Sequence, residues 1–378
     1  MNDFDRDSLK LHEEKHGKLG IVSKVPLRNR DDLSRAYTPG VAAVSKAVAE
    51  DPSLLYKYGG KGNMVAVVSD GSAVLGLGNV GAAAAYPVME GKALLFKEFA
   101  GVDAFPLVLD TQDAAEIVDI VCALALGFGG INLEDISAPR CFEIETALKA
   151  RLKIPVFHDD QHGTAIVLLA GLINALKVVE KDKNVRIVVN GAGAAGLAIT
   201  RLLHLYGFGN IIVVDSQGAI FQGRSENMNT TKAEIAAHTN SERLSGTLED
   251  VMVGADVFIG VSKAGLVSQG MVRSMADRAI VFAMANPDPE ISEADAKDAG
   301  AAIVATGRSD SLNQLNNVLV FPGLFRGALD ARIEQFTDEM FLAAAEALAG
   351  LVLEPSAEKI IPSPFEPGVA DAVAGVVG

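Results

Sequence analysis

Residues 185–207 read VRIVVNGAGAAGLAITRLLHLYG. A mostly β-branched run ends at Val189, and Gly191, Ala192, Gly193, Ala194, Ala195 and Gly196 follow directly before residues with helical spacing. Strand, G-x-G-x-x-G and helix, in that order, form a dinucleotide-binding turn. The glycines let the backbone approach a pyrophosphate, which sits at the positive end of the helix dipole. The next strand, NIIVVDS, ends at Asp215, 24 positions after Gly191, where a carboxylate accepts hydrogen bonds from ribose hydroxyls. Such a carboxylate repels a 2′-phosphate and favours NAD, whereas Arg224 in QGR can reach a phosphate and keeps NADP open. The expected cofactor-binding residues are therefore Gly191, Gly193, Ala194, Ala195, Gly196 and Asp215. The alternatives are a tight turn without a ligand and, for Asp215, an exposed turn residue.

Outward from this stretch, short apolar runs alternate with helical patterns. MVAVVSD, FPLVLD, INLED, PVFHD, ADVFIGV, AIVFAMAN and AAIVATG read as strands, while AAEIVDIVCALALG, CFEIETALKARL and ISEADAKDAG read as helices. This is the rhythm of βαβ units, and runs that are continuously apolar suit parallel strands covered on both faces. The fold class is α/β. At 378 residues the chain exceeds one ordinary core. The helix GTAIVLLAGLINALKVVE, residues 163–180, with its polar turn KDKN, marks a junction. Two domains are expected, an N-terminal α/β domain over 1–160 and a doubly wound, Rossmann-type parallel sheet over 161–378. The tail TDEMFLAAAEALAGLV closes the second domain as an amphipathic helix.

The composition excludes several classes of function. Forty-eight acidic residues against 33 basic ones argue against a nucleic-acid binder. Cys122 and Cys141 lie in helical apolar patterns, which suits buried thiols in a reducing compartment. The charged N-terminus, MNDFDRDSLKLHEEKHGKLG, has no apolar signal-peptide core, and AIVLLAGLINAL is interrupted by Gly171 and Asn174. A cytoplasmic protein with no membrane partner is expected.

Two acidic pairs raise a sharper question. Glu134 and Asp135 follow one predicted strand, and Asp159 and Asp160 follow the next in PVFHDDQHGTA. Neighbouring parallel strands bring such tips together at the carboxyl edge of the sheet, where ligands bind. Clustered carboxylates raise one another's pKa unless a cation neutralises them, and oxygen-only ligands favour Mg²⁺ or Mn²⁺ over zinc. Adjacent strand residues point to opposite faces, so both members of a pair can ligate only where the strand has turned. The expected ligands are Glu134, Asp135 and Asp160, with Asp159 hydrogen-bonding nearby. The alternative is that each pair caps the helix after it. His158 and His162 read as hydrogen-bonded structural residues.

In PVMEGKALLFKEFAG, residues 87–101, helical spacing puts Val88, Met89, Leu95, Phe96 and Phe99 on one arc with Lys92 at its middle. An ammonium facing the core must be paired, deprotonated or placed for chemistry, and a nearby divalent cation would lower its pKa into the range of a general base. Snorkelling to solvent is the alternative.

Taken in order, SRAYTPGVA, VSDGSAVLGLGNVG, PVMEGKALLFKEFAG, INLEDISAP, FHDDQHGTA, VVNGAGAAG, AMANPDPE and LNNVLVFPG resemble the malic enzymes, in their shorter bacterial form, from about residue 10 to residue 350. The resemblance implies oxidative decarboxylation of L-malate to pyruvate and CO₂ with NAD or NADP and Mg²⁺ or Mn²⁺. It also implies a homodimer. By resemblance Lys92 is the base for the C2 hydroxyl and Tyr37 the acid that protonates the enolpyruvate carbon. Glu134, Asp135 and Asp160 become the metal ligands, Asp159 joins the catalytic set, and Asn286 and Asn317 hold the substrate carboxylate, with Asn286 also near the cofactor. Larger family members carry an arginine where this chain has Ala73, so the carboxylate is held by other groups. Tyr37 taken alone reads as a packed loop residue. The competing expectations are a related 2-hydroxy-acid dehydrogenase, an oxaloacetate decarboxylase without net redox, and a catalytically silent dinucleotide-binding regulator.

Overall fold

The computed structural model describes residues 3–74 and 76–378, so Leu75 of the glycine-rich stretch lies outside the described residues. Among the described residues ten strands form two sheets. In the first, β1 (Met64–Ser69), β2 (Asp103–Val108), β3 (Gly130–Leu133) and β4 (Val156–His158) lie in the order β2-β1-β3-β4, all parallel. The second holds β5 (Ile187–Asn190), β6 (Ile211–Asp215), β7 (Gly218–Ala219), β8 (Val257–Gly260), β9 (Ile280–Ala283) and β10 (Ile303–Thr306). Their order is β10-β9-β8-β5-β6-β7, parallel except for the short β6–β7 pair. All nine expected strands are present; β7 was not foreseen, because two residues carry no periodic signal.

Strands β3, β4, β5, β8, β9 and β10 are buried along their whole length, as their apolar runs require. Between the sheets runs the 20-residue helix Asp159–Val178. By length and hydropathy it could cross a membrane, but 72% of its most apolar window is buried within the protein, which accounts for its composition. It starts four residues before the expected residue 163. Asp159 and Asp160 therefore occupy its first turn and not a strand tip.

The helix Ala82–Ala100 buries Ala85, Met89, Glu90, Lys92, Ala93 and Phe96. Val88, expected on that face, is exposed. The helix Phe321–Ala331 returns to this element through Phe321 and Phe325, whose rings pack tilted and edge-on against Phe96 at 4.7 and 5.4 Å between centroids. One hydrophobic core consequently joins residues of both sheets, from Val65 to Val377.

Candidate active site

Strands β3 and β4 pair with Leu133 opposite His158, so the residues that follow each leave the sheet side by side. Asp135 then adopts φ 54°, a left-handed conformation that aspartate tolerates better than most residues. This breaks the strand alternation and lets Glu134 and Asp135 face the same space. Carboxylate oxygens of Glu134, Asp135 and Asp160 all lie within 4.8 Å of one another. Asp160 Oδ2 accepts the backbone N–H of Asp135 at 2.9 Å, across the gap between the elements. The helices Arg140–Arg151 and Asp159–Val178 have Pro139 and His158 at their N-caps, neither with a side-chain cap bond, so neither acidic pair is an N-cap; Asp159 and Asp160 do lie in a first turn, where the helix dipole favours them.

Lys92 faces this cluster from the helix Ala82–Ala100. Its side chain is 8% exposed, so it does not snorkel. Nζ donates to Glu134 Oε1 at 2.9 Å and to Asp159 Oδ2, and lies 4.0 Å from the Phe321 ring centroid. Burial alone would lower its pKa, but Asp159 and Glu134 outweigh burial and hold it above the usual lysine value. This raised value belongs to the ion-free protein, whereas the lowering expected from sequence is that of a lysine beside a divalent cation; the two carboxylate partners could not be foreseen. Burial likewise pushes the carboxyl of Asp159 up to about 6 and raises Glu134 and Asp160, against the pull of Lys92.

Asn317, in the turn Asn317–Leu319, donates Nδ2 to the same Asp159 oxygen, which thus links Lys92 to Asn317. Gly163 makes this approach possible: a methyl there would collide with Asp159 Oδ1 and come within 3.1 Å of Asn317 Cβ. Asn286 Nδ2 donates to the Met284 carbonyl at 3.3 Å and makes no bond to the acidic cluster. Its neighbour Pro287 packs on the glycine-rich loop of the first half, where a Cβ at Gly76 would lie 2.9 Å from Pro287 Cδ. Tyr37 is not brought to the cluster within one chain. It is 66% exposed and, among the described residues, its hydroxyl makes no hydrogen bond.

Sequence reasoning missed the groups that brace the site. Asn132 Nδ2 donates to Glu134 Oε2 at 2.8 Å. Arg140 donates to Asp70 at 2.7 Å, to Ser72 at 2.9 Å and to Ser137 at 3.2 Å, tying the glycine-rich loop to the segment after β3. Behind Asp160, Glu145 accepts His162 Nε2 at 2.8 Å and Gln161 at 3.2 Å. His162 is hydrogen-bonded as expected and stacks on Phe341, whereas fully buried His158 departs from expectation: its Nδ1 lies 3.7 Å from Asp160 Oδ2 and neither ring nitrogen makes a hydrogen bond among the described residues. Only the inward register of Asn132 in GINLED could have signalled any of these.

At the second sheet, Gly191 has φ 124°, and a methyl at Gly196 would collide with the Gly191 carbonyl, so the helix Ala194–Tyr206 packs close to β5. Nothing lies within 4 Å of a Cβ at Gly193, which leaves space at the helix start. Asp215 departs from expectation: it is neither an exposed turn residue nor a free acceptor. Its carboxylate takes hydrogen bonds from Arg224 Nη1 at 2.9 Å, Lys232 at 2.7 Å, Asn227 at 3.1 Å and the Gln217 N–H at 2.9 Å. Burial would raise its pKa, but Arg224 and Lys232 bring it down to about 2.

Comparison with known proteins adds an independent line. Residues 16–119 match the family model "Malic enzyme, N-terminal domain", and residues 161–366 match "Malic enzyme, NAD binding domain". The chain is 58% identical to the bifunctional malic/malolactic enzyme of Bacillus subtilis over 98% of its own length and 91% of that protein. It is 50% identical to the NADP-dependent malic enzyme of Rhizobium meliloti over 97% of its length, spanning 51% of that protein. A crystal structure of an NAD-dependent malic enzyme from Thermotoga maritima superposes with a TM-score of 0.95 at 49% identity, covering 98% of each chain.

Proposed function

Because this chain belongs to the malic enzyme family, a family of oxidoreductases, we propose that its acidic cleft oxidises and decarboxylates L-malate to pyruvate and CO₂ with reduction of NAD or NADP. The observation that carries this reading is the buried Lys92 amine, bonded to Glu134 and Asp159 beside three carboxylates whose oxygens lie within 4.8 Å.

Glu134, Asp135 and Asp160 suit a hard divalent cation, Mg²⁺ or Mn²⁺. Lys92 set against Glu134, Asp135, Asp159 and Asp160 leaves a formal charge of −3, and buried Asp159 Oδ1 has no hydrogen-bond partner among the described residues. When bound, the cation supplies Lewis-acid polarisation of the substrate C2 oxygen and the nicotinamide accepts the hydride.

The pKa of Lys92, raised in the ion-free protein, would be lowered by a cation beside these carboxylates. In its neutral form Lys92 takes the C2 hydroxyl proton, and Asp159 keeps its Nζ in place. The ketone so formed lies β to the departing carboxylate, which allows CO₂ to leave. Asn317, braced by Asp159, and Asn286, at the junction with the glycine-rich loop, hold the remaining carboxylate in place of the arginine that Ala73 replaces. Tyr37 returns a proton to C3 of the enol.

Residues 1–160 supply the cation ligands and Lys92, and residues 161–378 the cofactor groups, with Gly191, Gly193, Ala194, Ala195 and Gly196 around the pyrophosphate, together with the substrate amides Asn286 and Asn317. Arg224 and Lys232 neutralise Asp215, so the ribose site does not exclude a 2′-phosphate and accepts either cofactor. None of residues 3–63 is buried, and Ile21 is 95% exposed. A row of apolar groups of this kind supports a homodimer in which Tyr37 serves the partner's cleft.

Measuring pyruvate and reduced cofactor in parallel from L-malate, with each cofactor and with or without EDTA, tests the reading. Equimolar products that vanish with EDTA are expected. No pyruvate from L-malate, but pyruvate from oxaloacetate without change in the cofactor, would favour the redox-neutral reading.

A further inference from the structure

Glu290 takes no part in the chemistry above. Its side chain is fully buried, yet among the described residues no cation pairs with it. Its two oxygens bind two different loops: Oε1 accepts the Ser262 N–H at 2.9 Å and Oε2 the Ala285 N–H at 3.0 Å. The backbone continues the seam, with Val267 N–H bonded to the Glu290 carbonyl at 3.0 Å and Gly265 N–H to the Pro289 carbonyl at 3.1 Å. Ser262 in turn accepts Asn190 Nδ2 at 2.8 Å, next to Gly191. Gly260, the last residue of β8, makes the room, since a methyl there would collide with the Glu290 carboxyl group.

These loops leave the carboxyl ends of β8 and β9. The sheet order changes direction between β5 and β8, and the crevice outside such a switch point is where sheets of this kind bind ligands. A buried carboxylate compensated only by backbone N–H groups favours a cation placed beside it. The oxidised nicotinamide ring carries a formal positive charge, and the reduced ring carries none. We infer that Glu290 is a positioning residue: it aligns loops 260–267 and 284–290 at the nicotinamide crevice and biases that crevice toward the oxidised ring. The inference rests on the cofactor reading above.

The test is Glu290→Gln in the full-length protein with Mn²⁺ present. Kd for oxidised cofactor is measured by titration calorimetry, and Kd for reduced cofactor by its fluorescence. Affinity for the oxidised form should fall about fivefold or more relative to the reduced form, with Mn²⁺ affinity unchanged. Equal weakening of both forms, or no weakening, would overturn the inference. Glu290→Asp keeps the charge but is too short to reach both loops. It should weaken both forms while preserving the wild-type ratio, and a shifted ratio there would also count against the inference. Wild-type protein that binds neither form would instead defeat the cofactor reading itself.

Discussion

A lysine buried like Lys92 survives in the fold because two carboxylates compensate its charge. Those partners also hold it protonated in the ion-free protein, since its pKa is raised. Removing the amine leaves Glu134 and Asp159 buried without their cation, so Lys92→Ala should lower thermal stability as well as turnover. We predict a fall in kcat of about 10²-fold or more, the range of general acid–base catalysis, with Kd for oxidised cofactor within about twofold of wild type. Stopped-flow turnover and calorimetric titration check the two halves. Near-normal kcat would remove Lys92 from the proton-transfer role.

At the scale of elements, the site depends on where one strand and one helix stop and start. β3 ends at Leu133, and the left-handed Asp135 turns its neighbours to one side. The helix Asp159–Val178 begins early enough to put Asp159 and Asp160 in its first turn, and Gly163 one turn later clears the space they occupy. An alanine normally strengthens a helix relative to glycine by about 1 kcal/mol. Here the steric clash with Asp159 wins, so Gly163→Ala should cost about tenfold or more in kcat through misplacement of Lys92 and Asn317. Steady-state kinetics with a melting curve checks it, and unchanged kcat would contradict it.

The same elements show what was legible in the sequence. The nine longer strands, the glycine turn and the acidic pairs follow from period and spacing, because they rest on contacts near in the chain. The charge state of Lys92 and the saturation of Asp215 rest on partners 42 to 67 and 9 to 17 residues away, and no local pattern encodes those. The early start of the helix at Asp159 was hidden because Asp, Gln and His before Gly163 read as a loop.

For the whole molecule, the exposed N-terminal segment with Tyr37 and the buried amine of Lys92 belong to different parts of one chain. If two chains exchange Tyr37, a purified hybrid of one Lys92→Ala subunit and one Tyr37→Phe subunit contains one intact site. Its activity should approach about half that of wild type, while each parent homodimer stays inactive. A hybrid as inactive as its parents would put Tyr37 in its own chain's cleft.

All of these readings converge on a divalent ion held by Glu134, Asp135 and Asp160 within reach of Lys92. The most direct measurement is anomalous diffraction at the manganese edge from crystals grown with Mn²⁺. The prediction is a strong peak bonded by one oxygen of each of the three carboxylates, lost in Asp160→Asn. A map without manganese at that cluster, or with manganese only at surface carboxylates, would contradict the account.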